Sequence, residues 1–163
     1  MGLNSGDVIL CDIGAAKASV DLTMIGDAVN IAARLETACS QYFIDNLVSD
    51  SVAKDAREQF SIRIIDRIKV YGKDTPVAVY EIINEIENTS QEENDLIKHF
   101  EKGFEAYTKG KFSAGLKHFQ KSKPLEIDRG YASTPSDVYI SRCKMLEKSS
   151  PDNWDGTWTL ESK

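Results

Sequence analysis

Two runs rich in β-branched residues constrain this chain more than any other feature: Ser61-Ile62-Arg63-Ile64-Ile65 with Arg67-Ile68-Lys69-Val70, and Val77-Ala78-Val79-Tyr80-Glu81-Ile82-Ile83. The residues between them, Tyr71-Gly72-Lys73-Asp74-Thr75-Pro76, carry turn chemistry, so the pair predicts an antiparallel hairpin. A lone hairpin is marginal in water and needs a cover for its apolar face. The clearest cover is a helix over 27–39, where Ala28, Ile31, Ala32, Leu35, Ala38 and Cys39 recur at helical spacing and Asp27 is placed to act as N-cap. Leu47-Val48-Ser49 reads as a short strand, and Asp50 or Ser51 is placed to cap a brief helix to about Glu58. Residues 2–10 enter a strand almost at once, and an apolar strand in that position requires a partner from elsewhere.

From Asn84 to Glu93 the composition turns polar. Beyond it the spacing predicts helices at about 93–109, 112–122 and 136–147, with Lys109-Gly110-Lys111 breaking the first pair and Ser133-Thr134-Pro135 starting the third. Trp154 and Trp158 sit close together near the end, in a segment expected to dock on a surface. The expected organisation is therefore an α+β unit over 1–86, a linker over 87–93, a helical tail over 94–148 and an irregular, tryptophan-containing end over 149–163.

Charge narrows the function classes. The net charge is −6, and residues 1–88 hold 8 Lys/Arg against 14 Asp/Glu while residues 89–163 hold 12 of each, so the imbalance lies wholly in the first part. An acidic domain repels a phosphate backbone, which disfavours nucleic acid as a partner. No apolar run approaches the roughly 20 residues of a membrane-spanning helix, and no basic stretch followed by an apolar one marks a signal peptide. Cys11, Cys39 and Cys143 are odd in number and widely separated, and read as free thiols in a reducing compartment. A cytoplasmic location follows as the expectation, in a free protein or in the cytosolic part of a membrane-anchored parent. His99 and His118 lack a nearby carboxylate or cysteine cluster in sequence and read as surface or packing residues.

The segment richest in chemistry runs from Asp21 to Glu36. Asn30 and Arg34 are four apart, about 40° around a helix axis, on the flank of an apolar arc centred on Ala28 and Leu35. An amide donor beside a guanidinium suits a phosphate or a developing oxyanion, because arginine offers a fixed fork of donors. The spacing alone leaves a plainer alternative open, in which Asn30 completes a capping arrangement with Asp27 and Arg34 pairs with an exposed carboxylate.

Three groups of residues carry a resemblance. Gly2-x-x-x-Gly6-x-Val8 comes first, then Asp12-Ile13-Gly14, then Thr23-x-x-Gly26-Asp27-x-Val29-Asn30-x-Ala32-Ala33-Arg34-Leu35-Glu36. With Asp66-Arg67-Ile68-Lys69-Val70-Tyr71-Gly72-Lys73 and Pro76-Val77-Ala78-Val79-Tyr80-Glu81, they resemble the second half of a class III adenylate/guanylate cyclase catalytic domain, over residues 2 to about 83. The resemblance implies the C-terminal half of a ferredoxin-like domain, an antiparallel sheet with helices on one face. It implies that Asn30 orients ribose and reacting phosphate, that Arg34 stabilises the transition state, and that Lys73 contacts the terminal phosphates; a solvated turn lysine is the alternative for Lys73. Thr23 falls at a base-selecting position, where a hydroxyl can accept from the adenine amino group and so favours ATP over GTP. Cys11 and Tyr71 depart from the family's usual glycine and lysine without removing a catalytic group.

The same resemblance implies two divalent ions, Mg or Mn, held by two aspartates upstream of the segment matching Gly2. Asp7, Asp12, Asp21 and Asp27 do not occupy those positions. It also implies a site shared across a head-to-tail dimer, so the expected partners are ATP and a homodimeric or complementary cyclase subunit, and the chain alone is expected to be inert. A non-catalytic dimerisation or interaction module is the competing expectation. Residues 103–122 resemble one tetratricopeptide-type hairpin, with Gly115 at the close helix contact, which implies a possible protein partner for the tail. The Trp-Asp-Gly-x-Trp ending resembles tails that follow the cyclase domains of bacterial sensor cyclases; a structural cap is the alternative for it.

Overall fold

The computed structural model describes residues 1–13, 21–68, 76–149 and 154–158. Its strands are β1 (Gly2–Leu3), β2 (Ile9–Ile13), β3 (Asp21–Ile25), β4 (Leu47–Ser49), β5 (Phe60–Ile68) and β6 (Val77–Glu85). Its helices are α1 (Asp27–Tyr42), α2 (Asp50–Ala56), α3 (Gln91–Thr108), α4 (Phe112–Ser122) and α5 (Pro135–Ser149), with 3-10 turns at Ile86–Asn88 and Lys123–Leu125. The class is α+β.

One sheet has the order β1-β4-β6-β5. The two long runs of the sequence form its β5–β6 hairpin, antiparallel from Phe60↔Glu85 to Ile68↔Val77. The partner that the opening strand required is β4, which β1 joins in parallel, a departure from the antiparallel sheet expected throughout. A second, two-stranded ribbon pairs β2 with β3. The extended runs expected at 61–65 and 67–70 are, as far as Ile68, one strand with register shifts between Ser61/Ile62 and Ile64/Asp66, and positions 69 and 70 lie outside the described residues. The bulge has a consequence. Ile65 and Asp66 are consecutive yet both fully buried, which strict alternation does not permit on one face.

The main core lies between one face of the sheet and the helices. Leu35, Ala38 and Tyr42 of α1 meet Ile65, Ile68 and Val79 of the sheet, and the same cluster continues without a break into Phe100, Tyr107, Phe119 and Tyr139 of α3–α5. A smaller cluster of Val48, Ala53, Ile62 and Tyr80 fills the opposite face beneath α2. The expected linker at 87–93 holds no slack chain. The 3-10 turn runs to Asn88, and Ser90 and Glu93 close a reciprocal capping box on α3.

The α3–α4 hairpin forms because two glycines let the helices touch. A Cβ on Gly103 would stand 2.8 Å from the Phe119 ring, and one on Gly115 would stand 3.1 Å from the Gly103 carbonyl. The Tyr139 ring then stacks on Phe119 with centroids 4.7 Å apart. Its hydroxyl donates to the Ile65 carbonyl at 2.7 Å, satisfying an acceptor of strand β5 at the sheet edge. Trp154 docks too, donating Nε1–H to the Tyr107 carbonyl at 2.9 Å.

Two capping expectations are corrected. Asp27 does not cap α1; Gly26 occupies the N-cap position with no side-chain cap, and Asp27 is the acidic residue of the first turn, where it complements the helix dipole. Neither Asp50 nor Ser51 caps α2, whose N-cap position is Ser49, again with no side-chain cap.

Candidate functional site

Helix α1 turns Leu35, Ala38, Cys39 and Tyr42 into the core. Asn30 and Arg34 lie on its other side and are exposed. Their helix is seated from its first turn to its middle by the glycine-containing opening of the chain. A Cβ on Gly2 would stand 2.0 Å from the Ala32 carbonyl oxygen, so only glycine permits this approach of β1 to α1. Asn4 donates its side-chain amide to the Ala28 carbonyl at 3.1 Å. A Cβ on Gly6 would stand 3.0 Å from the Ala28 Cβ, so both glycines of the Gly2-x-x-x-Gly6 spacing lie against the helix that carries Asn30 and Arg34.

Thr23 is half-buried on β3, opposite Cys11 of β2, and its strand runs through Gly26 directly into α1. Thr23, Asn30 and Arg34 therefore belong to one continuous strand–helix unit. Lys73 lies outside the described residues. Around Thr23 the ribbon is strongly apolar and uncovered: Ile9 is 69% exposed, Leu10 61%, Met24 57% and Ile25 51%.

No group of three or more His, Cys, Asp or Glu among the described residues is placed to hold a metal ion. Burial pushes the Cys143 thiol up to about 12, helped by the charge of Glu147, so it is no nucleophile near neutral pH.

Sequence reasoning missed a buried ionic network. Arg63 is fully buried and donates Nε–H to Glu81 at 2.7 Å and its two other nitrogens to Glu126 at 3.1 and 2.8 Å. Glu81 also accepts from Arg129 at 2.5 Å, and Ser136 donates to Glu126 through both backbone and side chain. Burial opposes charge on Arg63, but Glu81 and Glu126 outweigh it and hold its pKa above the ordinary value. Two cations and two anions from β5, β6 and the 126–129 segment thus neutralise one another out of water. A second node joins Asp66, Tyr42 and Arg142. The signal available was weak: charged residues inside β-branched strands, and a Glu-Ile-Asp-Arg stretch that reads as loop.

No family model matches the chain. It is 39% identical over 85 residues to an adenylate cyclase of Anabaena cylindrica, covering 50% of this chain and 17% of that protein. It is 27% identical over 148 residues to the terminal-differentiation specific adenylate cyclase of Dictyostelium discoideum, covering 88% of this chain and 7% of that one. The second likeness runs well past β6, so it takes in the helical tail. The crystal structure of the adenylyl cyclase CyaB from P. aeruginosa superposes with a TM-score of 0.45 and 27% identity, covering 55% of this chain and 44% of that chain. The chain spans less than a fifth of the length of these two curated relatives. The sequence likenesses support a cyclase domain.

Proposed function

We propose that this chain contributes the transition-state half of a class III adenylate cyclase site, which converts ATP to 3′,5′-cyclic AMP and pyrophosphate. The observation that carries the reading is the exposed Asn30–Arg34 pair, one helical turn apart on a helix whose other face is locked into the core. In the reaction the ribose 3′-oxygen attacks the α-phosphorus and pyrophosphate leaves, so negative charge shifts across the phosphoryl oxygens. Arg34 offers a planar fork of donors to that charge, and the Asn30 amide holds ribose and phosphate in register. Thr23 accepts from the adenine amino group, and Lys73 meets the terminal phosphates.

Turnover needs groups that this chain does not bring together. The cyclase resemblance implies metal-dependent chemistry, and we place the Mg or Mn ligands on a complementary cyclase subunit in a head-to-tail dimer. The uncovered ribbon of Ile9, Leu10, Met24 and Ile25 supports a partner there, because an apolar surface of that kind beside a polar site marks a contact face. The tetratricopeptide-like tail is, on this reading, a structural part of the same body, packed through Gly103 and Gly115.

The test is direct. The purified chain with ATP and Mg or Mn should give no measurable cyclic AMP. Mixed with a cyclase subunit that keeps its metal-binding aspartates but has lost its own transition-state arginine, it should restore turnover. Robust turnover by the chain alone overturns the division of labour. A mixed complex that forms but stays silent favours a non-catalytic interaction module instead.

A further inference from the structure

Asp66 is a junction of three elements. Its Oδ2 accepts from the Tyr42 hydroxyl at 2.6 Å and from Arg142 Nη1 at 2.6 Å. Its Oδ1 accepts from the Arg67 backbone N–H at 2.7 Å. Tyr42 is the last residue of α1, Asp66 sits at the bulge of β5, and Arg142 belongs to α5 of the tail. Asp66 and Tyr42 are fully buried, and Arg142 is 6% exposed. The Arg142 guanidinium also lies over three rings, 5.4 Å from Tyr42, 5.1 Å from Tyr139 and 4.7 Å from Trp158.

The placement matters because α1 is held at both ends. Asn4 and Gly6 seat its first turn against Ala28, and Gly2 packs on its middle at Ala32. The Tyr42–Asp66–Arg142 node holds its last residue, about two turns beyond Arg34. A helix fixed at two ends points its exposed flank in one direction, and here the far anchor comes from the tail. An ammonium at position 142 would keep the charge but lose the planar fork and the stacking among three rings.

We propose that Arg142 is a positioning residue: through Asp66 and Tyr42 it sets the orientation in which α1 presents Asn30 and Arg34, so that the tail controls the site. This rests on the proposed cyclase reading for what the pair does, while the mechanical coupling stands on the node alone. The tail's last described segment, ending at Trp158 on the Arg142 guanidinium, is then the point at which a ligand or partner of the tail would be felt at α1.

Two readouts on the full chain test it. In amide hydrogen exchange, Arg142→Gln and Arg142→Lys should speed exchange across 27–42 while 50–56 in α2 keeps its wild-type rate. If Arg142→Gln fails to fold because it strands a buried carboxylate, Asp66→Asn with Arg142→Gln removes both charges and should show the same selective loss. In the complementation mixture, kcat should fall on the order of 10- to 100-fold with KM for ATP little changed, the Lys variant falling between wild type and Gln. The proposal is overturned by wild-type exchange in α1 for both Arg142→Lys and the double variant, by α1 and α2 loosening together, or by a KM rise at constant kcat. A silent wild-type mixture overturns the cyclase reading itself, and selective exchange in α1 would then still show the coupling.

Discussion

The two flanks of helix α1 are built on opposite principles. On one, the sheet and the tail close over charged groups completely, with Arg63, Asp66 and Glu81 at zero exposure and each paired. On the other, the β2–β3 ribbon leaves aliphatic side chains open to water, and Asn30 and Arg34 project beside them. Each side thus departs from the usual assignment, one by enclosing charges within its apolar core and the other by exposing aliphatics. The difference teaches that the buried side holds the helix with groups of this chain, while the open side is the one the proposed function assigns to a nucleotide and a second subunit.

The comparison breaks most visibly if a buried charge loses its partner. Glu81→Gln removes a carboxylate that holds both Arg63 and Arg129, and should cost about 3–5 kcal/mol in urea unfolding, since buried Arg63 is then left with Glu126 as its one anionic partner and the network with excess positive charge. A loss within experimental error would show that water reaches the network. Tyr139→Phe deletes only the hydroxyl that donates to the Ile65 carbonyl and should cost about 1–3 kcal/mol, the penalty of a buried acceptor left without a donor.

How far these features were legible before any coordinates is instructive. The β5–β6 hairpin and helices α1, α3, α4 and α5 follow from local pattern, because each buries a stripe written into neighbouring residues, whereas α2, with Ala53 alone buried, was legible only through capping chemistry near its start. The Asn30–Arg34 pair was legible for the same reason, being a local spacing on a single helix. The ionic network was not. Arg63 and Glu126 are 63 residues apart, and nothing local marks either as buried. The inward turn of Asp66 depends on a bulge that alternation cannot show, and the N-cap of α1 shifted from Asp27 to Gly26 because the capping position is set by the backbone on leaving β3.

Smaller effects sharpen the contrast. Ser90→Ala opens the capping box at the start of α3 and should cost about 1 kcal/mol, measurable as a shift in the unfolding midpoint. On the open flank, Ile9→Lys or Leu10→Lys should change stability by no more than about 0.5 kcal/mol while weakening association with a second subunit in sedimentation. A loss of stability as large as that of Glu81→Gln would place the ribbon in this chain's own core.

The pH dependence of the tail is the mildest prediction. His118 on α4 faces His99 on α3 with ring centroids 6.1 Å apart, and the Nδ1 atoms of both are enclosed without a hydrogen-bond partner. Burial, then His99, Lys121 and Lys102, hold the His118 pKa below its ordinary value of 6.5. The folded state therefore prefers the neutral ring. Its contribution is present above the unfolded pKa and is lost as pH falls through the folded one. Stability measured from pH 7 to pH 5 should decline, and His118→Gln should flatten that decline.

Arg34, on the exposed flank of α1, remains the residue on which the functional reading turns. In a mixture of this chain with a cyclase subunit that retains its metal-binding aspartates and lacks its own arginine, cyclic AMP formation should appear and should vanish with Arg34→Ala, with both chains still associated. Turnover that survives Arg34→Ala undiminished would contradict the assignment of that helix flank to the nucleotide.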